Sequence, residues 1–282
     1  MYFEKSITCA HPGGTHEIIY SEFPGDEFRT VICLHGLSRN GRDFDWLAES
    51  LANEGFRVIC PDMAGRGRSP AFADHTWYNY PQYVSDMITL INELKIMQCD
   101  WIGTSMGGLI GMMLAMQPES VIQRLVFNDV GPFISAAAME RIKKYVSMNP
   151  SFPDWDSFYA AFRQRMKPFG LKNEAEEKFL AEISMQKLPD GNLRLNYDTN
   201  IIAWMGGGQP ILDMDLWSLW PLVKQKMLIL HGADSDILGF DTLQRMMIDK
   251  QATSVSFAGV GHAPALLGED QISVVKNWLL TA

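Results

Sequence analysis

The sequence predicts an α/β fold in which a mostly parallel sheet carries helices on both faces and a helical cap is inserted into it. Short apolar runs typical of strands alternate with amphipathic runs typical of helices up to Pro132. The alternation stops over 133–216, where helical patterns are broken by prolines, and it resumes at Lys226. We therefore predict a core of residues 1–132 and 217–282, and we call residues 133–216 the cap.

The elements can be assigned in order along the chain. An antiparallel pair is predicted over Ile7–Glu22, with Pro12-Gly13-Gly14 as its turn. The later apolar runs predict strands at Thr30–Leu34, Arg57–Cys60, Asp100–Gly103, Val121–Asn128, Lys226–Gly232 and Ser254–Phe257. The amphipathic runs predict helices at Asp43–Asn53, Pro81–Leu94, Leu109–Gln117, Asp241–Asp249 and Glu269–Leu280. Proline suits the first position of the second of these helices because it lacks the N–H that would be unsatisfied there.

The most informative motif is Gly103-Thr104-Ser105-Met106-Gly107, a G-x-S-x-G sequence between a predicted strand and a predicted helix. In that context the motif indicates a nucleophile elbow, a sharp turn that lifts the serine hydroxyl clear of the sheet. Glycines on both sides leave room that larger side chains would fill. The helix that follows directs its free N–H groups and positive dipole end toward whatever the serine attacks. We therefore predict Ser105 as a nucleophile.

A second motif, His35-Gly36, ends the predicted strand Thr30–Leu34. A loop at this place can supply a backbone N–H to an oxyanion hole, in which each fixed donor lowers the barrier by roughly 3 to 4 kcal/mol. We assign the two donors to the backbone N–H groups of Leu37 and Met106. His35 and Gly36 are predicted to contact substrate.

A histidine follows the last predicted strand in Gly259-Val260-Gly261-His262. A serine hydroxyl is a poor nucleophile at neutral pH and needs a base whose pKa lies near the working pH, which histidine supplies. His262 is therefore the predicted base. Its position downstream of the serine agrees with a chain order of serine, acid, histidine.

Three aspartates are candidates for the carboxylate that would orient this histidine. Asp234 and Asp236 follow the predicted strand Lys226–Gly232, and Asp129 follows the strand Val121–Asn128. Asp236 is the preferred candidate because the two apolar residues after it can anchor its loop. Asp234 lies closer to the end of the strand, and both it and Asp129 stay open as alternatives.

With these residues in place the chain resembles the α/β-hydrolase superfamily nearly from end to end. The matching segments are the His35-Gly36 loop, Asp62-x-x-Gly65-x-Gly67-x-Ser69, GTSMGG, HGADSDIL and GVGHAP. The resemblance implies a serine hydrolase whose triad positions match Ser105, Asp236 and His262 and whose oxyanion-hole positions match Leu37 and Met106. The acid loop departs from the pattern, because many relatives have an aspartate three residues after the glycine, where this chain has Ser235.

The cap is predicted to decide substrate choice because it would cover the carboxyl ends of the strands, where such folds place ligands. Its large apolar side chains either line an acyl or alcohol pocket or form the cap's own core; they are Trp155, Phe158, Phe162, Trp204 and Met205. Trp204 is predicted to contact substrate. Gly206-Gly207-Gly208 is predicted to be a connection within the cap, because no strand precedes it as a phosphate-binding loop requires.

Composition restricts partners and location. At 282 residues with 47% hydrophobic content the chain can bury a full core. A net charge of −9 and the lack of a Lys/Arg block argue against nucleic acid or an anionic membrane as partner, and no apolar run predicts a membrane span. The four cysteines show no metal-binding or C-x-x-C spacing, which predicts buried thiols and a cytoplasmic protein.

Ser105, His262 and a neighbouring aspartate together predict an enzyme that cleaves a small, mainly apolar carboxylic ester through an acyl-enzyme, with no metal or organic cofactor. Lactone, thioester and C–C bond hydrolysis are alternatives on the same fold, which alone cannot separate them. A ligand-binding or signalling protein with slow or no turnover is the alternative from a different class.

Overall fold

A single large sheet forms the centre of the protein in a computed structural model, which describes residues 1–205, 210–248 and 251–281. The strands in these residues are β1 Phe3–His11, β2 Gly14–Phe23, β3 Asp26–Leu34, β4 Phe56–Pro61, β5 Cys99–Thr104, β6 Ile122–Asn128, β7 Phe133–Ile134, β8 Met185–Lys187, β9 Leu193–Leu195, β10 Met214–Asp215, β11 Lys226–Gly232 and β12 Ala252–Phe257. Eight of them pair in the order β1-β2-β4-β3-β5-β6-β11-β12. β2 is antiparallel to both of its neighbours, and the other six strands of this sheet are mutually parallel: β4, β3, β5, β6, β11 and β12. The predicted mostly parallel α/β sheet is confirmed.

Helices cover this sheet. Those in the described residues are α1 Asp45–Asn53, α2 Tyr80–Glu93, α3 Met106–Ala115, α4 Ala136–Ser147, α5 Trp155–Met166, α6 Glu174–Ser184, α7 Phe240–Met246 and α8 Glu269–Thr281. Short 3-10 turns lie at Gly41–Phe44, His75–Trp77, Lys167–Phe169, Thr199–Met205 and Trp220–Leu222. None of the helices described is both long and apolar enough to cross a bilayer. The glycine run 206–208 and the predicted end of the α7 helix at 249 lie outside the described residues.

Alternating side chains of β3 explain why both faces of the sheet are covered. Successive residues of a strand point to opposite faces. Ile32 and Leu34 pack in one buried cluster with residues of α2 and α3, whereas Val31 and Cys33 pack in another with residues of α1 and α8. The apolar second half of β3, residues 31–34, is therefore buried on both sides, as parallel strands usually are.

The cap contains α4, α5 and α6, and its two ends lie together because β7 pairs antiparallel with β10. Phe158 and Phe162 are buried in a cluster of their own with Leu180 and Ala181. For Phe158 and Phe162 the structure therefore favours a place in the cap's own core over a place in the lining of a substrate pocket.

The elbow requires glycine because α3 starts very close to β5. A Cβ added at Gly103 would lie 2.4 Å from the backbone carbon of Gly107. We predict that Gly103→Ala lowers the free energy of unfolding by about 3 kcal/mol or more, because backbone atoms must move to admit the methyl group. Gly239→Ala is the matched control, since nothing lies within 4 Å of its added Cβ. Urea denaturation of both variants measures the difference, and equal stability would contradict this explanation of the turn.

Candidate active site

Ser105 lies at the turn between β5 and α3 with a strained backbone. Its φ of 52° and ψ of −116° belong to a conformation that residues other than glycine rarely adopt. Its backbone N–H donates to the carbonyl of Asn128 at 3.0 Å, which ties the turn to the neighbouring strand β6. The side chain is thereby held at the carboxyl edge of the parallel strands, as the nucleophile elbow predicts.

Three side chains from three loops form a continuous series of hydrogen bonds. The Nε2 atom of His262 lies 2.9 Å from Ser105 Oγ, and its Nδ1 atom lies 2.7 Å from Asp129 Oδ2. Because a carboxylate only accepts, Nδ1 carries the proton that is donated to Asp129. Nε2 of the neutral ring is then free to accept the serine hydroxyl proton.

The Asp129 carboxylate is fully buried, and it is held by two donors besides His262. The Gly232 backbone N–H donates to Oδ1 at 2.8 Å, and the Ser235 hydroxyl donates to Oδ2 at 2.5 Å. A buried charge is stable only when it is hydrogen-bonded in this way. Asp129 itself has a positive φ of 56°, which sharply turns the chain at the end of β6.

The preference for Asp236 as the partner of His262 is wrong in this structure. Asp236 instead forms a two-pronged ion pair with Arg141 of α4, and both side chains are about half exposed. Asp234 is exposed as well. The loop after β11 still contributes to the site, because Ser235 supplies its hydroxyl to Asp129.

The two predicted oxyanion donors lie near Ser105, since Met106 follows it in the chain and Leu37 lines the same cavity. In the part of the chain that the structure describes, neither the Leu37 nor the Met106 backbone N–H has a hydrogen-bond acceptor. Met106 is the first residue of α3, where N–H groups lack an intrahelical partner. The neighbouring loop comes close to the nucleophile, since a Cβ added at Gly36 would lie 3.6 Å from Ser105 Cβ.

Arg66, a buried arginine that we did not predict as a site residue, contacts both Leu37 and Met106. Arg66 Nε donates to the Leu37 carbonyl at 2.8 Å, and its Nη2 lies 3.7 Å from the Met106 sulfur. A further bond from Nη1 to the Tyr83 hydroxyl at 2.9 Å anchors the guanidinium on α2. The signal in the sequence was the arginine between the two glycines of the Asp62 loop.

His35 does not contact substrate in this arrangement, contrary to the prediction. Its side chain is completely buried: Nδ1 donates to the Gly36 carbonyl at 2.7 Å, and Nε2 accepts from the Met63 N–H at 2.9 Å. The ring thus joins the loop after β3 to the loop after β4. Burial lowers the pKa of His35 to about 4.

Trp204 is also placed away from the serine, so its predicted substrate contact is wrong here. Its ring packs against Tyr80 at 5.8 Å between centroids. It borders a separate depression with Met139, Met205 and Pro210. The error arose because exposure of a cap aromatic cannot be derived from its spacing along the chain.

A cavity of about 320 Å³ opens directly over Ser105 and His262. Gly36 and Leu37 contribute to its wall from the core, as predicted for Gly36. The wall on the side of the cap is largely apolar and includes Ile142, Tyr145, Val146, Pro168 and Phe169. Charged residues also reach this space: Arg39, Arg141, Arg165, Asp234 and Asp236.

One buried group outside this cavity has donor atoms close enough to suit a metal ion. Cys9, His16 and Asp86 place a sulfur, a ring nitrogen and a carboxylate oxygen within 4.8 Å of one another. His16 Nε2 lies 3.2 Å from Asp86 Oδ2, and the Cys9 thiol donates to the Asp86 backbone carbonyl at 3.8 Å. Burial raises the pKa of the Cys9 thiol to about 12, which keeps it protonated.

The buried His35 predicts a specific pH dependence of stability. Above pH 6.5 the ring is neutral in the folded and the unfolded chain. Between pH 6.5 and 4 the unfolded chain takes up a proton that the folded chain cannot, so this residue alone lowers the free energy of unfolding by about 3 kcal/mol. Urea denaturation at several pH values measures the free energy of unfolding. Between pH 6.5 and 4 it should fall by about 3 kcal/mol less in His35→Gln than in the natural protein. The exposed His75→Gln control should show the full decrease, and an unchanged profile in His35→Gln would contradict the assignment.

Comparison with known proteins agrees with this architecture. Residues 29–266 match the family model described as alpha/beta hydrolase fold. The chain is 37% identical to a 3-hydroxybutyrate-oligomer hydrolase of Cupriavidus necator, over 98% of this chain and 97% of that protein. It is 28% identical to the AB hydrolase superfamily protein YisY of Bacillus subtilis, over 83% of this chain and 85% of that protein. The crystal structure of an alpha/beta hydrolase from Novosphingobium aromaticivorans superposes with a TM-score of 0.89 at 31% identity, covering 100% of this chain and 99% of the other. The chain belongs to the α/β-hydrolase family.

Proposed function

We propose that this protein is a serine hydrolase that cleaves a small, mainly apolar carboxylic ester through an acyl-enzyme. The observation that carries the proposal is the unbroken hydrogen-bonded series from Ser105 through His262 to the buried carboxylate of Asp129. Geometry of this kind lets a histidine accept a proton from the serine as the serine attacks.

The reaction follows from the positions of these groups. Ser105 Oγ forms a bond to the ester carbonyl carbon while its proton passes to His262 Nε2. Asp129 keeps the ring in the required tautomer and stabilises the imidazolium that forms. When the tetrahedral intermediate collapses, the carbon–oxygen bond to the alcohol breaks and His262 donates the proton to the departing oxygen. Water then attacks the acyl-enzyme in the same way, which releases the acid and restores Ser105.

The developing oxyanion would be held by the free N–H groups of Leu37 and Met106. Each fixed donor of this kind lowers the barrier by roughly 3 to 4 kcal/mol. Arg66 supports this role, because it holds the Leu37 carbonyl and contacts the Met106 side chain. A donor that is already in place loses no energy in reorganisation when charge develops.

The size and lining of the cavity support a small substrate. Its volume of about 320 Å³ and apolar cap wall suit a short acyl or hydroxyacyl chain. The C. necator relative is named for the hydrolysis of 3-hydroxybutyrate oligomers, which are esters of a short hydroxyacid. We therefore favour an ester as substrate. No contact among the described residues of the site favours the lactone, thioester or C–C bond alternatives.

We further propose that the enzyme works in the cytoplasm. The four cysteines are buried free thiols, the state expected of a protein in a reducing compartment.

Substitution of the two competing aspartates distinguishes their roles. We expect Asp129→Asn to lower kcat for p-nitrophenyl butyrate by about 10⁴, because the amide cannot hold the required histidine tautomer. Asp236→Asn removes only a half-exposed ion pair, so its effect should stay below about tenfold. Ser105→Ala provides the background rate. A larger loss in Asp236→Asn than in Asp129→Asn would contradict the proposed mechanism.

A further inference from the structure

We propose that Arg141 forms a carboxylate-binding subsite at the rim of the cavity, so that the natural substrate is an ester carrying a free carboxylate. This inference rests on the proposed function, since it concerns the same cavity. It starts from a charge contrast: the whole chain has 33 acidic and 24 basic residues, yet three arginines and only two aspartates line this space.

Two of the three arginines are held in place by hydrogen bonds to the protein. Arg39 is nearly buried, and its guanidinium bonds both carboxylate oxygens of Asp43 and the Ser184 hydroxyl. Arg165 donates to the carbonyls of Tyr145 and Met148 at 2.8 Å, which places its charge at the C-terminal end of α4. A cation at that end of a helix is stabilised by the helix dipole. Neither guanidinium can turn to a ligand without losing these bonds.

Arg141 differs because, among the described residues, it bonds only to Asp236, and both side chains are accessible to water. Its side chain is 48% exposed, and Asp236, to which Nε and Nη2 donate, is 50% exposed. Both partners of this ion pair are accessible to water, and a substrate carboxylate that replaced Asp236 would give the guanidinium the same two-pronged geometry, so little energy would be lost in the exchange. Among the described residues nothing accepts a hydrogen bond from Nη1 of Arg141. The planar guanidinium suits two-pronged binding of a carboxylate.

The position of Arg141 on α4 fits a substrate with an apolar stretch between its two polar ends. Arg141 and Tyr145 are four residues apart and therefore share one face of the helix, about 6 Å apart along its axis. Ser105, Ile142, Tyr145 and Arg141 line the same cavity, so a substrate whose ester carbonyl lies at Ser105 could place an apolar chain beside Ile142 and Tyr145 and a polar end at Arg141. A short oligoester of a hydroxyacid has this pattern of ester, short alkyl segment and terminal carboxylate.

The aspartates of the lining restrict where the anion can lie. Asp236 is neutralised by Arg141, but exposed Asp234 has no ion-pair partner among the described residues. Its charge repels an anion, so a substrate carboxylate is expected to bind beside a cation of the lining and not beside Asp234. Asp236→Asn should strengthen binding of the carboxylate, because it frees the guanidinium from its competitor.

Paired substrates that differ only in charge test this subsite. We would compare the dimer of 3-hydroxybutyrate with the same dimer whose terminal carboxylate is a primary amide, and measure release of 3-hydroxybutyrate by chromatography. Arg141→Gln should lower kcat/KM for the acid dimer about tenfold more than for the amide dimer. Asp236→Asn should shift this ratio in the opposite direction, and added salt should weaken the preference for the acid dimer.

Arg163→Gln is the matched control, because Arg163 is an exposed arginine of α5 that pairs with Glu177 and does not line the cavity. It should leave the acid-to-amide ratio unchanged, and thermal unfolding checks that each variant is folded. Equal effects of Arg141→Gln on the two dimers would overturn the subsite. The subsite would also be overturned if neither dimer were hydrolysed while p-nitrophenyl butyrate was hydrolysed in a Ser105-dependent way. That result would leave the proposed ester hydrolase activity standing. Failure to hydrolyse any of the three esters would instead overturn the proposed function.

Discussion

The arrangement of the candidate site depends on one buried negative charge, the carboxylate of Asp129. Removing a carboxylate from water costs several kcal/mol unless donors replace the lost hydration. Here the donors come from Gly232 and Ser235 after β11 and from His262 after β12. The charge therefore joins the loops that follow three strands of the sheet. With Nδ1 of His262 held by Asp129, the Nε2 atom on the other side of the ring faces Ser105.

Much of this could be predicted from the sequence, because the signals were local. Strand and helix periods placed the sheet, and Gly103 and Gly107 around Ser105 marked a turn that only small residues permit. The acid could not be chosen in the same way. Asp129 and Asp236 both follow apolar strands, and only the conformations of two loops decide which carboxylate meets His262.

The incorrect contacts have a related origin. His35 stands in a motif that borders the cavity, yet its ring points inward to join two loops, and a pattern of residue types does not reveal that direction. Arg66 is the opposite case, since an arginine in a glycine-rich loop suggests solvent, whereas this one is buried behind Leu37. In both cases tertiary contacts, rather than local preference, determine where the polar group lies. The cap adds the wall of the cavity opposite the serine. The core would therefore supply the catalytic groups, and cap residues such as Arg141 would determine which substrate binds.

The central claim is that Ser105 is an activated nucleophile. Incubation of the purified protein with a fluorophosphonate probe, followed by mass spectrometry of the labelled peptide, tests this most directly, with Ser105→Ala as the control. We expect a single covalent label on Ser105 and none in the variant. A folded natural chain that stays unlabelled, or a label on another residue that persists in Ser105→Ala, would contradict it.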